Sequence, residues 1–195
     1  MEHLRDEEVM LCCQRGEAGA MEELLKRYKR AIYHFAFRLT ADAEEAQDIA
    51  QEVFVRLHQF RERYRTTGKF STWLFAIAHH LSISRLRKKK WTVLWPRKEQ
   101  EPEAYVEFQS PDPSPDQIAS QNELSDFLKQ SIQSLPFLQR EALILREYQN
   151  LDYDQISKIL NKSLGTVKTL IHRARMNLKT KLLPYVEESG GGSHV

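Results

Sequence analysis

Cysteine is scarce in this sequence of 195 residues, which contains only the adjacent pair Cys12 and Cys13. Adjacent cysteines rarely bond to each other, and two thiols make no disulfide framework. No cysteines and histidines show the spacing of a zinc site. We therefore interpret the pair as small residues of a first helix, with a redox role as the alternative.

Long apolar runs are missing as well. No stretch approaches the roughly 20 apolar residues that a membrane-spanning helix needs. Residues 1–7 are acidic and contain no apolar run, which excludes a signal peptide. Hydrophobic residues make up 41% and charged residues 29% of the chain, an ordinary composition for packed cores. These features predict a cytoplasmic protein.

Catalytic motifs are also lacking. The sequence contains no glycine-rich phosphate loop, and it has neither a carboxylate cluster nor a set of metal ligands spaced for catalysis. We therefore expect neither an enzyme nor a protein with a cofactor, a metal ion or a small-molecule substrate.

Proline divides the chain. Five of the seven prolines lie between Pro96 and Pro115, and proline disfavours helix at the residue before it. The rest of the sequence shows neither alternating apolar residues nor a hairpin signal, which predicts an all-α fold. We expect two small helical domains, residues 1–92 and 123–186, joined by an extended, acidic, proline-rich linker at 93–122. Residues 187–195 are predicted to be a disordered tail.

Charge follows the same division, although the whole chain carries only +2. The net charge is +4 over residues 1–92, −4 over residues 93–122 and +2 over residues 123–195. Two basic blocks that flank an acidic segment indicate two nucleic-acid contacts separated by a linker.

The C-terminal block shows the pattern of a helix-turn-helix. Pro136 suits the first turn of a helix from Phe137 to Tyr148. Asp152 can cap a second helix whose buried stripe is Ile156, Ile159 and Leu160. A short break leads to a last helix at roughly residues 164–181, for which Ser163 is a good N-cap.

The last helix has two distinct faces. Its apolar residues fall within about 60° of one another and must face the core: Val167, Ile171, Ala174 and Leu178. The opposite face is small and polar, with cations along its edges, and no acidic residue occurs from Asn161 to Val186. A helix in a major groove needs such edges for phosphates and such a centre for bases. The alternative is a solvated cationic helix in a small bundle.

The N-terminal block contains amphipathic helices at about residues 20–40 and 42–60. The second has a core stripe of Ala46, Ile49, Ala50, Val53 and Leu57. Its far side carries Asp48, Gln51, Glu52 and Val55. A docking surface for a basic partner would explain an exposed valine among acids and an amide, but this pattern by itself favours a plain surface helix.

A third helix is predicted from Phe70 to Lys90, with Ser71 as its cap. Trp73, His80 and Arg87 are spaced seven apart and form a stripe beside the core stripe. The helix ends with five cations in six residues, more than a helix C-terminus requires. Rings beside a basic end suit single-stranded DNA, because rings stack on unpaired bases and cations hold the backbone. The alternative is that Trp73 and Phe75 belong to the core.

These segments together resemble the extracytoplasmic-function (group IV) sigma factors. The run from Asp42 to Phe54 resembles the polymerase-binding segment of that family, and the run from Phe70 to Lys90 resembles its −10 recognition and melting segment. Gly165-Thr166-Val167-Lys168 and His172-Arg173-Ala174-Arg175 resemble its −35-reading domain, in which Leu170 replaces a common arginine. His80 and Ser84 replace a usual asparagine and a frequent aspartate.

The resemblance implies a promoter-specificity subunit of RNA polymerase, with an anti-sigma factor as a further partner. Residues implied to dock on the core enzyme are Asp48, Gln51, Glu52 and Val55. Residues implied to contact the −10 element, as single-stranded non-template DNA, are Lys69, Phe70, Ser71, Thr72, Trp73, His80, Ser84, Arg85, Arg87 and Lys88. Residues implied to contact the duplex −35 element are Ser163, Gly165, Thr166, Lys168, Thr169, His172, Arg173 and Arg175. The alternative function is a stand-alone helix-turn-helix regulator of duplex operators.

Overall fold

The computed structural model describes the backbone of residues 1–94 and 118–190, and side chains within residues 1–87 and 125–184. Over these ranges the chain is helical and contains no strand, which confirms the predicted all-α class. The helices are α1 (Asp6–Gln14), α2 (Ala20–Thr40), α3 (Ala43–Phe60), α4 (Phe70–Leu94), α5 (Ile118–Gln133), α6 (Phe137–Glu147), α7 (Tyr153–Leu160) and α8 (Leu164–Gly190). None of the described helices is both long enough and apolar enough to cross a bilayer.

The N-terminal domain packs α1 to α4 around an apolar core. The stripe predicted on α3 is buried, as are the facing side chains of α2 and α4. The rings of Phe35 and Phe75 meet edge to face with centroids 5.3 Å apart, so Phe75 belongs to the core, as the alternative interpretation held. Cys12 and Cys13 are free and buried on α1. Burial raises the pKa of the Cys13 thiol to about 11, which disfavours the reactive thiolate.

The start of α4 is fixed by a residue far away in the sequence. The backbone N–H of Phe70 donates to the Glu7 carboxylate on α1 at 3.0 Å. The first turn of a helix leaves its N–H groups without partners inside the helix, so this carboxylate acts as a cap. Our prediction of Ser71 as the cap is wrong, because the helix begins one residue earlier and Ser71 lies inside the first turn.

The C-terminal domain contains α5 to α8, and α7 and α8 begin at the predicted caps. The Asp152 carboxylate accepts from the backbone N–H of Gln155 at 2.8 Å, and the Gln155 side chain accepts from the N–H of Asp152 at 3.0 Å. The Ser163 hydroxyl accepts from the N–H of Thr166 at 3.1 Å. Between α7 and α8 the chain turns through Asn161, which has a left-handed φ of 49°.

Two predicted boundaries differ from the structure. The last helix continues to Gly190 rather than ending near Lys181, so residues 187–190 of the predicted tail are helical. Glu187, Glu188 and Ser189 are compatible with a helix, and the first glycine after Pro184 is Gly190. The helices α4 and α5 enter the predicted linker at its two ends, while residues 95–117 and 191–195 lie outside the described residues.

The two domains are in contact with each other. A single apolar cluster extends from Val9 of α1 to Ile171 of α8. The helices α2 and α4 supply the N-terminal side of this junction, and α5, α6 and α7 supply the C-terminal side.

Candidate nucleic-acid interface

The outer face of α8 is exposed. Val167, Ile171 and Ala174 are buried, as their spacing predicts, and they fix the rotation of the helix. That rotation exposes the residues of the polar centre and its edges: Gly165, Thr166, Lys168, Thr169, His172, Arg173, Arg175 and Met176. Leu170 is half-buried against the core, so it extends the packed side of the helix. The exposed face presents small polar groups between cations.

The cations of α8 are not equally available to a ligand. Arg175 Nη2 lies 2.5 Å from Glu147 Oε1, and Arg175 Nε lies 3.1 Å from the same oxygen, so α6 neutralises this guanidinium. Arg173 and Lys168 are exposed and can meet phosphates directly. Ser163 is exposed, but its hydroxyl is engaged in capping α8 and in a 2.8 Å hydrogen bond with Thr166 Oγ1.

Trp73 is held at the surface of the N-terminal domain by other rings. Its ring lies 5.3 Å from that of Tyr64 and 6.2 Å from that of Phe70, measured between centroids. Tyr64 and Phe70 are buried, whereas Trp73 is half-buried. Phe70 is 0% exposed, so its side chain supports Trp73 from below, and in this arrangement it has no surface to offer to a base.

The remaining residues predicted on α4 fall into three groups. Lys69, His80, Ser84 and Arg87 are exposed, whereas Ser71 and Thr72 are half-buried. Arg85 is drawn towards α3, where its Nη1 lies 3.4 Å from Asp48 Oδ2. Burial, with a smaller contribution from His79, lowers the pKa of the His80 imidazole, which favours its neutral form. The side chain of Lys88 lies outside the described residues.

The outer face of α3 combines acids with an accessible valine. Val55 is 49% exposed, whereas the other aliphatic side chains of α3, such as Ile49, Val53 and Leu57, are buried. Asp48, Gln51 and Glu52 lie near it and are half-buried. Both carboxylates have intramolecular partners, because Glu52 pairs with Arg56 at 2.7 Å and Asp48 pairs with Arg85 at 3.4 Å. The surface is thus less acidic than its sequence indicates.

Two family models match the chain on either side of the proline-rich segment. Residues 24–92 match Sigma-70 region 2, and residues 128–178 match Sigma-70 region 4. The chain is 34% identical over 172 residues to the extracytoplasmic-function sigma factor SigW of Bacillus subtilis, covering 87% of this chain and 92% of SigW.

The chain belongs to the extracytoplasmic-function sigma factors. Another relative, the RNA polymerase sigma factor YlaC of Bacillus subtilis, is 33% identical over 87% of this sigma factor and 95% of its own length. The chain therefore directs the core enzyme of RNA polymerase to promoters. Family membership confirms the prediction of a protein that is not an enzyme, and the comparisons give no support to a stand-alone regulator.

Solved structures share the fold of this sigma factor. The sigma factor RpoE of Bartonella quintana, solved with the anti-sigma factor NepR, aligns with a TM-score of 0.66 at 24% identity, over 85% of this chain and 98% of that chain. CnrH, solved with the cytosolic domain of CnrY, aligns with a TM-score of 0.68 at 19% identity, over 91% of this chain and 96% of that chain.

Sequence reasoning missed a buried polar pair in this sigma factor. His79 Nδ1 lies 2.7 Å from Glu141 Oε1, and the two side chains are 5% and 0% exposed. The sequence did contain one signal. Glu141 precedes the apolar Ile144 by three residues, so the two side chains lie on nearly the same face of α6. Without the packing of the two domains, nothing indicated that this position is enclosed.

Proposed function

We propose that this sigma factor contacts promoter DNA at two places, with α8 at the −35 element and α4 at the −10 element. The observation that carries the proposal is the accessible face of α8, where Gly165, Thr169 and His172 lie between Lys168 and Arg173. A small centre lets the helix approach base edges, while the flanking cations bind phosphates on the two sides of the groove. Capping of α8 by Ser163 supports this role, because it fixes the end of the helix that meets the bases.

At the −10 element, Trp73 is assigned the role of stacking on an unpaired base. Support comes from its position on a rigid layer of rings formed by Tyr64 and Phe70. A ring held in place loses little conformational entropy when a base stacks on it. His80, Ser84 and Arg87 extend from the same helix along the accessible side, where neutral His80 can donate or accept a hydrogen bond.

Docking on the core enzyme is assigned to the outer face of α3. An exposed Val55 supplies apolar contact, and Asp48 and Glu52 supply charges that a basic partner can share with Arg85 and Arg56. Charged contacts of this kind favour fast and specific association more than high affinity. RNA polymerase works in the cytoplasm. Because the chain docks on this enzyme, we assign the chain to the cytoplasm as well.

Control by an anti-sigma factor is part of the same proposal. Of the structures with the same fold, the sigma factor RpoE was co-crystallised with the anti-sigma factor NepR, and CnrH was solved with the cytosolic domain of CnrY. On this chain, Leu128, Leu143 and Leu178 line an apolar groove with Lys179 at its rim. A groove of this kind accepts the apolar face of an amphipathic helix.

Run-off transcription tests the proposed function. Core RNA polymerase from the source organism is mixed with the full chain and a library of genomic fragments, and discrete promoter-dependent products are expected. A Thr169→Ala/His172→Ala variant should bind the core enzyme normally but lose those products. Absence of a promoter-dependent product from every fragment would contradict the proposal. Stoichiometric co-purification with the core enzyme separates this function from that of a duplex-operator regulator.

A further inference from the structure

The first helix contacts the segment that leads into α4 at both ends of that segment. Gln14 Nε2 donates to the backbone carbonyl oxygens of Arg61 and Tyr64, at 2.6 Å and 3.0 Å. At the other end, the Glu7 carboxylate accepts from the backbone N–H of Phe70 at 3.0 Å. Glu7 and Gln14 are two helical turns apart, so they lie on the same side of α1, about 10 Å from each other along its axis. The helix α1 therefore spans the connection between α3 and α4.

A third contact from α1 reaches the same place through a ring. Tyr28 Oη donates to the Asp6 carboxylate, and the Tyr28 ring meets that of Phe70 edge to face with centroids 5.3 Å apart. Asp6 also accepts from Arg27 Nη1 at 2.7 Å, which joins α1 to α2. The apolar face of α1 is buried in the core of the domain. The helix α1 is thus a fixed support for the residues that it contacts.

The contacts from α1 end on the two rings that support Trp73. Tyr64 and Phe70 lie 5.3 Å and 6.2 Å from it, measured between ring centroids. The Tyr64 hydroxyl is buried and has no hydrogen-bond partner within the described part of the chain. The position of the Tyr64 ring therefore depends on its packing and on the backbone carbonyl that Gln14 holds. The same carbonyl accepts a longer bond, at 3.2 Å, from the exposed Arg65.

The rigidity of this support affects how strongly a base can stack on Trp73. A side chain that moves between rotamers in the free protein must lose that freedom when a ligand binds to it, and the loss subtracts from affinity. Gln14 restricts the segment that carries Tyr64, and the Tyr64 ring in turn restricts Trp73. Without the Gln14 amide, two carbonyl groups lose a donor, and the connection between α3 and α4 gains freedom to move.

We propose that α1 is a positioning element for capture of the −10 strand, in which Gln14 holds Tyr64, and through it Trp73, in the orientation that stacks on an unpaired base. Gln14 itself does not touch DNA and acts only through the rings. The inference rests on the proposed function, because it requires Trp73 to meet the −10 strand. It gives α1, which carries none of the residues assigned to DNA, a part in promoter opening.

Gln14→Met tests the role of the amide. Methionine has nearly the length and the helix propensity of glutamine but no N–H donor. Gln14→Lys keeps a donor on a side chain of similar reach and should retain most of the function. Gln59→Met makes the same exchange at an exposed position on α3, away from the rings, and is the matched control. Circular dichroism checks that each variant keeps its helical content.

The first readout uses the free chain and no DNA. The substitutions Trp91→Phe and Trp95→Phe leave Trp73 as the single tryptophan. In that background, Gln14→Met should lower the fluorescence anisotropy of Trp73 and increase its quenching by acrylamide. Gln14→Lys and Gln59→Met should stay close to the parent chain. Unchanged anisotropy and quenching in Gln14→Met would overturn the positioning role, independently of what the chain does at promoters.

The second readout is capture of the strand by the holoenzyme. The probe is a labelled single-stranded oligonucleotide with the non-template −10 sequence of a promoter identified by run-off transcription. Trp73→Ala should weaken its binding about 5- to 150-fold, the range for the loss of one stacked base. Gln14→Met should weaken it several-fold, and both variants should bind the core enzyme as the wild type does. Equal losses in Gln14→Met and Gln14→Lys would overturn the role of the donor.

A double-mutant cycle separates positioning from a general loss of stability. If Gln14 acts through the ring, Gln14→Met should have little further effect in a Trp73→Ala background, because the group that it positions is gone. Effects that multiply in the double variant would overturn the proposal. An effect of Trp73→Ala without one of Gln14→Met would refute the role of α1 alone. No effect of Trp73→Ala would refute the −10 assignment as well, so the two failures are distinguishable.

Discussion

The carboxylate of Glu7 caps the backbone N–H of Phe70 across 63 residues of sequence, at a distance of 3.0 Å. This hydrogen bond ties α1 to the first turn of α4, next to the position of Trp73. The start of the helix assigned to the −10 element is thus fixed from outside that helix.

Glu7→Ala should destabilise the N-terminal domain by about 1 kcal/mol, which is the usual cost of losing an N-terminal cap. For a chain of this size such a loss lowers the melting temperature by about 2–4 °C. Thermal unfolding followed by circular dichroism measures the shift. Glu62→Ala, which removes an exposed acid, should leave the melting temperature unchanged, and an equal loss in both variants would show that Glu7 has no special role.

Trp73→Ala should impair promoter opening more than polymerase binding, because the ring is assigned to an unpaired base and not to the core enzyme. Permanganate reactivity of thymines in the melted region reports opening, and fluorescence anisotropy with labelled sigma factor reports core affinity. Trp73→Phe keeps a flat ring and should retain most of the opening activity. Equal losses of opening and core binding in Trp73→Ala would contradict the assignment.

Arg173→Ala should lower the salt dependence of −35 duplex binding by about one unit of slope, since one phosphate contact releases about 0.9 counterion. Binding of a duplex promoter fragment is measured at several salt concentrations. An unchanged slope would mean that Arg173 does not touch a phosphate.

Arg175 offers a matched comparison on the same helix, because Glu147 already neutralises it. Arg175→Ala should lower the slope by less than Arg173→Ala does. Glu147→Ala releases the Arg175 guanidinium and should increase both the duplex affinity and the slope. If Glu147→Ala weakens duplex binding, the ion pair positions Arg175 for DNA instead of competing with it.

Val55→Asp should weaken binding to the core enzyme without changing duplex −35 binding. The substitution removes an exposed apolar contact and adds a negative charge to the surface formed by Asp48, Gln51 and Glu52. Gln59→Asp adds the same charge to an exposed position on the next turn of α3 and serves as the control. Similar losses of core affinity in both variants would indicate a general charge effect rather than a contact at Val55.

The contact between the two domains should become less stable as pH rises. Burial raises the pKa of the Glu141 carboxyl, an effect that its hydrogen bond to His79 offsets only in part. Arg87, Arg140 and Lys162 line the same cavity as His79, and the ring of His80 lies 5.1 Å from that of His79. A carboxyl with a raised pKa binds its proton more tightly when the two domains are in contact than when they are apart. The stabilisation that protonated Glu141 gives to this contact is therefore present at pH values below the ordinary pKa of a glutamate. It is lost as pH rises through the raised pKa of Glu141.

Scattering across a pH series measures this effect as an increase in the radius of gyration with pH. Glu141→Gln keeps the size and a hydrogen-bonding oxygen but cannot ionise, so its radius should depend less on pH. A wild-type radius that grows as pH falls would show that the sign is wrong.

Local chemistry explains which parts of the fold were predictable. The caps Asp152 and Ser163 and the buried stripe of α8 depend on residues within one or two turns, so spacing alone locates them. The cap of α4 was missed because Glu7 lies 63 residues away. The helical residues 187–190 were missed because glutamates before a glycine run suit both a helix end and a disordered tail.

The candidate site divides in the same way. The accessible residues of α8 follow from its rotation, which Val167, Ile171 and Ala174 determine. The burial of Phe70, the neutralisation of Arg175 and the enclosure of Glu141 depend on contacts between separate helices. No pattern along one helix contains that information.

The apolar cluster shared by the two domains has a thermodynamic consequence for the unbound chain. Residues from α1 to α8 lose solvent in one continuous cluster, so heat should disrupt both halves in a single calorimetric transition. If the two halves separate when the chain binds the core enzyme, each relies on its own smaller cluster. Assembly into the holoenzyme would thus replace contacts between the two domains with contacts to a much larger protein.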